Sequence, residues 1–266
     1  MKSRTTPDAS VEKTGNGYLL KIPAGDSSAY RFAQMDDYFG LPRRQFPHHS
    51  LTLSLRARVS SRSLPGTWGF GIWNDPFGMS LGFGGKRFRL PTLPNAAWFF
   101  FASPENYLSF QGSPGRRRHE SAARLPLPGN GFLAQSFRSP KFHASLIPAG
   151  LVLPFSAKTT RRMLGRIIQE DGLDIAEHRE QTPGVHDGVD VAQWHSYQLE
   201  WSPKRVVWQV DEARVFESPV SPNRPLGLVI WIDNQFAAFT PEGKIGFGVL
   251  ENPEPAWLEI ADLKLA

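Results

Sequence analysis

The chain reads as an all-β sandwich, and three observations predict it. Short stretches of alternating apolar and polar residues recur along its length; 24 Gly and 23 Pro punctuate those stretches without forming a tract; and a single segment has helical periodicity. With 266 residues, 40% of them apolar and 8 Trp and 19 Phe included, there is ample surface for a large core. Sandwiches of this size commonly form one unit. That unit is expected over 17–266, behind a polar, flexible leader at 1–16.

Taken in order, Tyr18 to Ile22 is a short strand, and Leu51 to Val59 alternates cleanly (Leu51, Leu53, Leu55, Ala57, Val59) with one wet face. Trp68 to Trp73 and Met79 to Phe83 read as strands separated by an Asn74-Asp75-Pro76-Phe77-Gly78 turn. Ala96 to Ala102 is apolar throughout, the pattern of a strand buried on both faces. Tyr107 to Gln111 and Gly131 to Phe137 are further strands. Ala157 to Asp171 places Met163, Leu164, Ile167 and Ile168 at helical spacing with Gly172 as a stop, so one inserted helix is predicted there. Ser196 to Trp201, Val206 to Val210, Leu226 to Asp233, Lys244 to Leu250 and Trp257 to Leu265 complete the set.

The most distinctive stretch is Trp194-His195-Ser196-Tyr197-Gln198-Leu199-Glu200-Trp201-Ser202-Pro203-Lys204-Arg205-Val206-Val207-Trp208-Gln209-Val210-Asp211. It resembles the W-H-x-Y-x-x-x-W-x-P-x-x-x-x-W-x-V-D hairpin of the concanavalin A-like jelly rolls, above all the laminarinase-type glycoside hydrolases of family 16. Gly66-Thr67-Trp68-Gly69-Phe70-Gly71-Ile72-Trp73, Pro225 to Trp231 and the closing Trp257 to Leu265 are similar to other strands of that family. The resemblance covers about half the chain and implies a jelly-roll fold; a fold alone does not imply a chemistry.

Hydrolases of that family carry E-[IL]-D-x-x-E on the strand after the Trp-rich element, and retaining hydrolysis needs two carboxyl groups about 5–5.5 Å apart. The corresponding strand here, Asn95-Ala96-Ala97-Trp98-Phe99-Phe100-Phe101-Ala102, has no acid. Gly172-Leu173-Asp174-Ile175-Ala176-Glu177 imitates part of the motif but lacks its first Glu, and reads as a polar loop after the helix. The expected function is therefore ligand binding, with a glycan as the ligand, on a family 16-like scaffold that lacks the family's hydrolytic residues. Two alternatives stand beside it. One is an enzyme using other carboxylates, with Asp75 and Asp233 as the pair. The other is a binder of an apolar molecule among Phe77, Phe83, Phe88 and the aromatics of 98–101.

Candidate ligand-binding residues are Trp68, Trp73, Asn74, Asp75, Trp98, Trp231, Asp233, Asn234 and Gln235. Aromatic plates beside amides and carboxylates suit sugars, whose rings present CH faces and hydroxyl edges. The same residues have plain structural readings: Asn-Asp-Pro makes an Asx turn, polar groups end strands, and Trp fills cores. The resemblance implies a structural role for His195 and, through Asp262, a calcium site on the last strand. His143, His178 and His186 lack zinc spacing, there is no Cys, and Gly82-Phe83-Gly84-Gly85-Lys86 reads as a hairpin turn rather than a phosphate loop.

The net charge of +5 sits in local clusters (Arg43-Arg44, Arg116-Arg117-Arg118, Arg161-Arg162 with Arg166) without interleaved aromatics, so a small molecule or glycan is expected as partner rather than nucleic acid. Met1 to Ser10 is polar with no apolar stretch behind it for a signal peptide, and no apolar run is long enough for a membrane span, which reads as a soluble, cytoplasmic protein with no membrane partner.

Overall fold

A computed structural model describes residues 1–76, 92–110, 129–140, 164–176, 188–240 and 244–266. They form sixteen strands: β1 (Lys2–Thr5), β2 (Ser10–Thr14), β3 (Gly17–Ile22), β4 (Phe32–Asp36), β5 (Leu51–Val59), β6 (Thr67–Trp73), β7 (Ala96–Ala102), β8 (Gly131–Arg138), β9 (Gln169–Asp174), β10 (His195–Trp201), β11 (Val206–Val210), β12 (Ala213–Ser218), β13 (Gly227–Asp233), β14 (Gln235–Phe239), β15 (Ile245–Val249) and β16 (Ala256–Leu265). Sheet A runs β1-β4-β13-β6-β7-β8-β9 and sheet B runs β12-β11-β10-β5-β16-β3-β2, while β14 and β15 make a separate two-stranded ribbon. All the strand pairings within sheets A and B are antiparallel, and the chain passes between the sheets several times, as a jelly-roll sandwich requires.

The sheets pack through one alternating set of side chains. Sheet B contributes Leu53, Leu55, Tyr197, Leu199, Trp208, Leu258 and Ile260; sheet A contributes Trp68, Phe70, Ile72, Phe99, Phe132, Leu228 and Ile230. Successive strand residues point to opposite faces, so the outward residues of sheet A form a second set. These are Ala96, Trp98, Phe100 and Ala102 on β7, Leu133 and Phe137 on β8, and Val229 and Trp231 on β13, joined by Tyr38, Phe46 and Ile168. Sheet A is thus apolar on both faces. That explains why β7 has no alternation to read.

The Trp-rich hairpin is β10 and β11, and its alternation follows the sequence reading. Tyr197, Leu199, Trp201, Val206, Trp208 and Val210 point into the core. The motif's polar residues lock its geometry. Asp211 and Glu212 turn with φ of 48° and 68°, and Asp211 reaches back to accept from Ser196 N at 2.8 Å and to pair with His195 Nδ1 at 2.6 Å. Trp208, fully buried, sends its Nε1–H across the sandwich to the backbone carbonyl of Trp98 at 3.0 Å. This bond joins the hairpin to the centre of sheet A.

Several expectations need correction. Residues 1–16 are not a loose leader: β1 pairs with β4 and β2 with β3. A polar strand is tolerated at a sheet edge, where only one neighbour and one face must be satisfied. The helix expected over 157–171 is a helical turn at 164–167 among the described residues, and by Gln169 the chain is in the edge strand β9. Gly172, Leu173 and Asp174 belong to that strand. Tyr107 makes only an isolated bridge to Ala238 instead of opening a strand. The strand at 79–83, Phe77 and Phe88, the 82–86 turn, residues 157–163, Arg116 to Arg118, His143, Glu177, His178 and His186 lie outside the described residues. Among the described residues no helix is long and apolar enough to cross a membrane.

Replacing Trp208 by Phe keeps an aromatic ring in the core but removes the inter-sheet donor. We expect a loss of about 1–3 kcal/mol in urea unfolding with an unchanged m-value. A loss under about 0.5 kcal/mol would show that the bond contributes little.

Candidate functional site

The outward face of sheet A is where the predicted aromatic residues gather. Register fixes their order. Trp231 lies across from Gly69 on β6 and Gly69 from Phe100 on β7, while Val229 faces Gly71 and Gly71 faces Trp98. Trp73 ends β6 opposite Gly227. The two glycines make room for the rings: a Cβ on Gly69 would stand 2.9 Å from Trp231 Cη2, and one on Gly71 would stand 2.6 Å from Trp98 Cβ. Any larger residue there would also press on the β7 backbone, whose Phe99 and Ala97 carbonyl oxygens would stand closer still to the added Cβ atoms.

The rings touch one another. Trp73 and Trp231 are parallel to within 2° at 6.1 Å; Trp98 stands tilted against both, at 6.2 and 5.8 Å; and Phe100 stacks on Trp231 at 5.7 Å. Trp98 and Trp231 are 6% and 9% exposed, whereas Trp73 is half-buried. Leu41, Leu93, Leu108, Phe110 and Leu164 pack around this cluster.

Each indole N–H is tied to a polar group, and each tie leads toward a carboxylate. Trp98 Nε1 donates to Gln135 Oε1 at 3.2 Å, and Gln135 Nε2 donates to Glu170 Oε1 at 2.9 Å. Glu170 is held in turn by the Phe110 N–H at 2.8 Å. Trp231 Nε1 donates to Thr67 Oγ1 at 3.0 Å, and Thr67 donates to Asp233 Oδ1 at 2.8 Å. Trp73 Nε1 donates to the Tyr38 hydroxyl at 2.7 Å. Gln34 Nε2 bridges that hydroxyl and Asp36 Oδ2, at 3.3 and 2.9 Å, and Arg4 reaches the same Oδ2. Thr67, Gln34, Asp36, Tyr38, Gln135 and Glu170 were not singled out from sequence. The signal available was alternation alone: Thr67 and Gln135 are the polar residues at outward positions of strands that otherwise turn apolar groups to that face.

The remaining candidates divide differently. Trp68 is in the inter-sheet core, stacked between Phe101 at 5.7 Å and Phe132 at 4.9 Å, so it does not reach the outward face. Asn74 bonds Leu93 O and Asn95 N, and Asn234 bonds Arg31 N, Ala29 O and Leu250 O. Their amides clamp backbone, and both N–H groups of Asn234 are used in doing so. Asp75 sits in the turn at φ 49°, and its carbonyl and that of Asn74 accept from Arg43. Gln235 begins β14 with its N–H on Asp233 Oδ1 at 3.2 Å.

The pairing of Asp75 with Asp233 as acid and base fails on distance. Asp233 faces Thr67, whereas Asp75 lies in the turn beyond Trp73, so the six residue steps of β6 from Thr67 to Trp73 stand between them, about 20 Å at the strand rise. Glycosidic carboxyl pairs stand no more than about 9.5 Å apart. The outward positions of β7, Ala96, Trp98, Phe100 and Ala102, carry no acid. Asp262, at a bulge in β16 with φ 55°, accepts from Asn16 Nδ2 at 2.7 Å and lies 4.0 Å from the Arg56 guanidinium. One carboxylate facing an arginine does not suit calcium, which takes six to eight oxygens. Among the described residues no group of His, Cys, Asp or Glu is placed to hold a metal.

Asp233 is a perturbed acid of this face. Burial pushes its carboxyl up from 3.8 to about 6, against the hydrogen bonds from Thr67, Gln235 and Tyr30 that lower it. Burial likewise pushes the Tyr30 and Tyr38 hydroxyls well above their usual range.

The fold and this face define a class: a jelly-roll sandwich with an ordered aromatic array on the outside of one sheet. Comparison with known proteins assigns nothing further. No protein-family model matches the chain, and no curated protein matches its sequence. Solved structures of similar arrangement include a sialidase (8% identity, TM-score 0.44, 99% of this chain and 16% of that one). A legume lectin-like domain from Entamoeba histolytica (8%, 0.44, 99% and 89%) and a Bacillus licheniformis β-glucanase (11%, 0.41, 96% and 81%) are two more. The chain thus spans about a sixth of the sialidase's length. Likeness at this level assigns neither ligand nor activity.

A carboxyl raised from 3.8 to about 6 costs stability as pH climbs through that window, because the folded state holds a proton the unfolded state has released. Asp233→Asn is therefore expected to gain on the wild type between pH 4 and pH 6.5, by at most about 3 kcal/mol, and to level off above. Chemical unfolding of both proteins at four or five pH values checks this. A difference independent of pH would refute the assignment.

Proposed function

We propose that this protein binds a carbohydrate chain on the aromatic outward face of sheet A and does not cleave it with paired carboxylates. The observation that carries the reading is the indole pair Trp73 and Trp231, parallel to within 2° and braced by Trp98 and Phe100. Sugar rings pack their CH faces on such plates, and a plate held by its own N–H bond keeps its orientation without a ligand. Half-buried Trp73 is the natural point of contact. The length of β6 between Asp233 and Asp75, about 20 Å, exceeds what a hydrolytic carboxyl pair spans, and this supports binding over turnover by that pair.

A second reading has its own support. The indole N–H groups are spent on the Tyr38 and Thr67 hydroxyls and on Gln135, and the amides of Gln34 and Gln135 donate to neighbouring acids. A face whose polar groups are already satisfied favours an apolar ligand over one dense in hydroxyls.

An oligosaccharide array run beside a reducing-sugar assay, with fatty acids and terpenoids tested in parallel by fluorescence, separates the readings. Retention of glucan oligosaccharides with no release of reducing ends is expected. Trp73→Ala should weaken that binding about ten-fold or more while leaving the melting transition cooperative. Binding of the apolar probes alone would replace the first reading by the second, and bond cleavage would end the non-hydrolytic claim.

A further inference from the structure

Asp233 was a candidate ligand contact, yet its surroundings give it a different task. We infer that Asp233 is the positioning residue of Trp231: acting through the Thr67 hydroxyl, its carboxylate holds the indole in place, and taking up a proton loosens that hold. The inference concerns the same face as the proposed carbohydrate site and extends that reading.

Three bonds carry it. Thr67 has one hydroxyl proton, and it is directed to Asp233 Oδ1 at 2.8 Å. Thr67 Oγ1 therefore faces the Trp231 N–H as an acceptor, at 3.0 Å. The chain runs one way, from indole to hydroxyl to carboxylate, and a charged acceptor at its end strengthens both bonds. Gln235 N at 3.2 Å holds Oδ1, and the Tyr30 hydroxyl at 3.3 Å holds Oδ2, so the carboxylate is fixed from three sides. Trp231 meets Trp73, Trp98 and Phe100 directly and lies over Gly69, so slackening it disturbs the whole array.

The charges around Asp233 leave it to titrate by burial. On β4 its register partner is Phe32, and on β6 it is Thr67. Tyr30 comes from the loop before β4 and lines a surface depression with Asp8 and Arg31. The Arg31 guanidinium is turned onto the carbonyls of Asp26 and Ala29, and Arg4 of β1 is held by Asp36. Toward the core, neighbouring Ile232 packs among apolar side chains. A proton taken up near pH 6 fits Oδ2: the Tyr30 hydroxyl turns its own proton aside and accepts from the new O–H, and the Thr67 bond becomes one to a neutral acid.

The test reads Trp231 without any ligand. Emission spectra of the wild type minus Trp231→Phe, followed from pH 4.5 to 7.5, should show a transition near pH 6. It should vanish in Asp233→Asn and Thr67→Val and return in Thr67→Ser, which keeps the hydroxyl. Asp233→Asn mimics the neutral form and is expected to fold. Laminaripentaose should bind about five-fold more tightly at pH 7 than at pH 5 in the wild type, and equally in Asp233→Asn. Absence of the transition, its survival in Thr67→Val, or equal wild-type affinity at the two pH values overturns the inference. A transition of the expected pattern with no laminaripentaose bound at either pH supports the positioning role and counts against the carbohydrate reading alone.

Discussion

The hydrogen bond from Trp208 to the carbonyl of Trp98 is the contact on which the rest of the arrangement depends. It is made in a dry interior between two sheets, where an unmet indole donor or carbonyl acceptor is costly. At one end it fixes the hairpin β10–β11, itself clasped by His195 and Asp211. At the other it fixes the depth of β7, whose side chains alternate between the core and the outward aromatic array. Trp98 thus serves the fold through its backbone and the candidate site through its indole.

Sheet A imposes the second constraint. Strands that are apolar on both faces need cover on both, and here the sandwich supplies one cover while Tyr38, Phe46, Phe110, Leu164 and Ile168 supply part of the other. Within that second layer the polar atoms are few and tied together. Indole N–H groups lead through Gln135 or Thr67 to Glu170 or Asp233, and Gln34 links the Tyr38 partner of Trp73 to Asp36. Such networks restrict ring orientation as well as satisfying buried groups. The aromatic array is accordingly ordered before any ligand arrives.

Much of the fold was legible. Alternation located β5, β10, β11 and β16 within a residue or two, because one face of each is wet or less apolar than the other. β1, β2, β4, β9, β12 and β14 escaped; β1, β2, β9 and β12 are sheet edges, where polar sequence carries little apolar signal, and β9, for example, is Gln-Glu-Asp-Gly-Leu-Asp. The site was legible in part. Trp73, Trp98 and Trp231 do gather on one face, and Asp233 is beside them. Trp68 fell on the wrong side because Trp68 and Trp73 lie on the same strand five residues apart, an odd spacing that sends them to opposite faces.

The sequence by itself determined an all-β chain built around a Trp-rich hairpin, with a central strand free of acids. Those are local properties: alternation, turn residues and the side chains available at each position. Tertiary structure decided which face of sheet A is core, which Trp faces outward, and that Asp75 and Asp233 are at opposite ends of paired strands. The reason is register. Residues 67 and 233 become neighbours only when β6 pairs with β13, and no local pattern in either strand specifies that alignment.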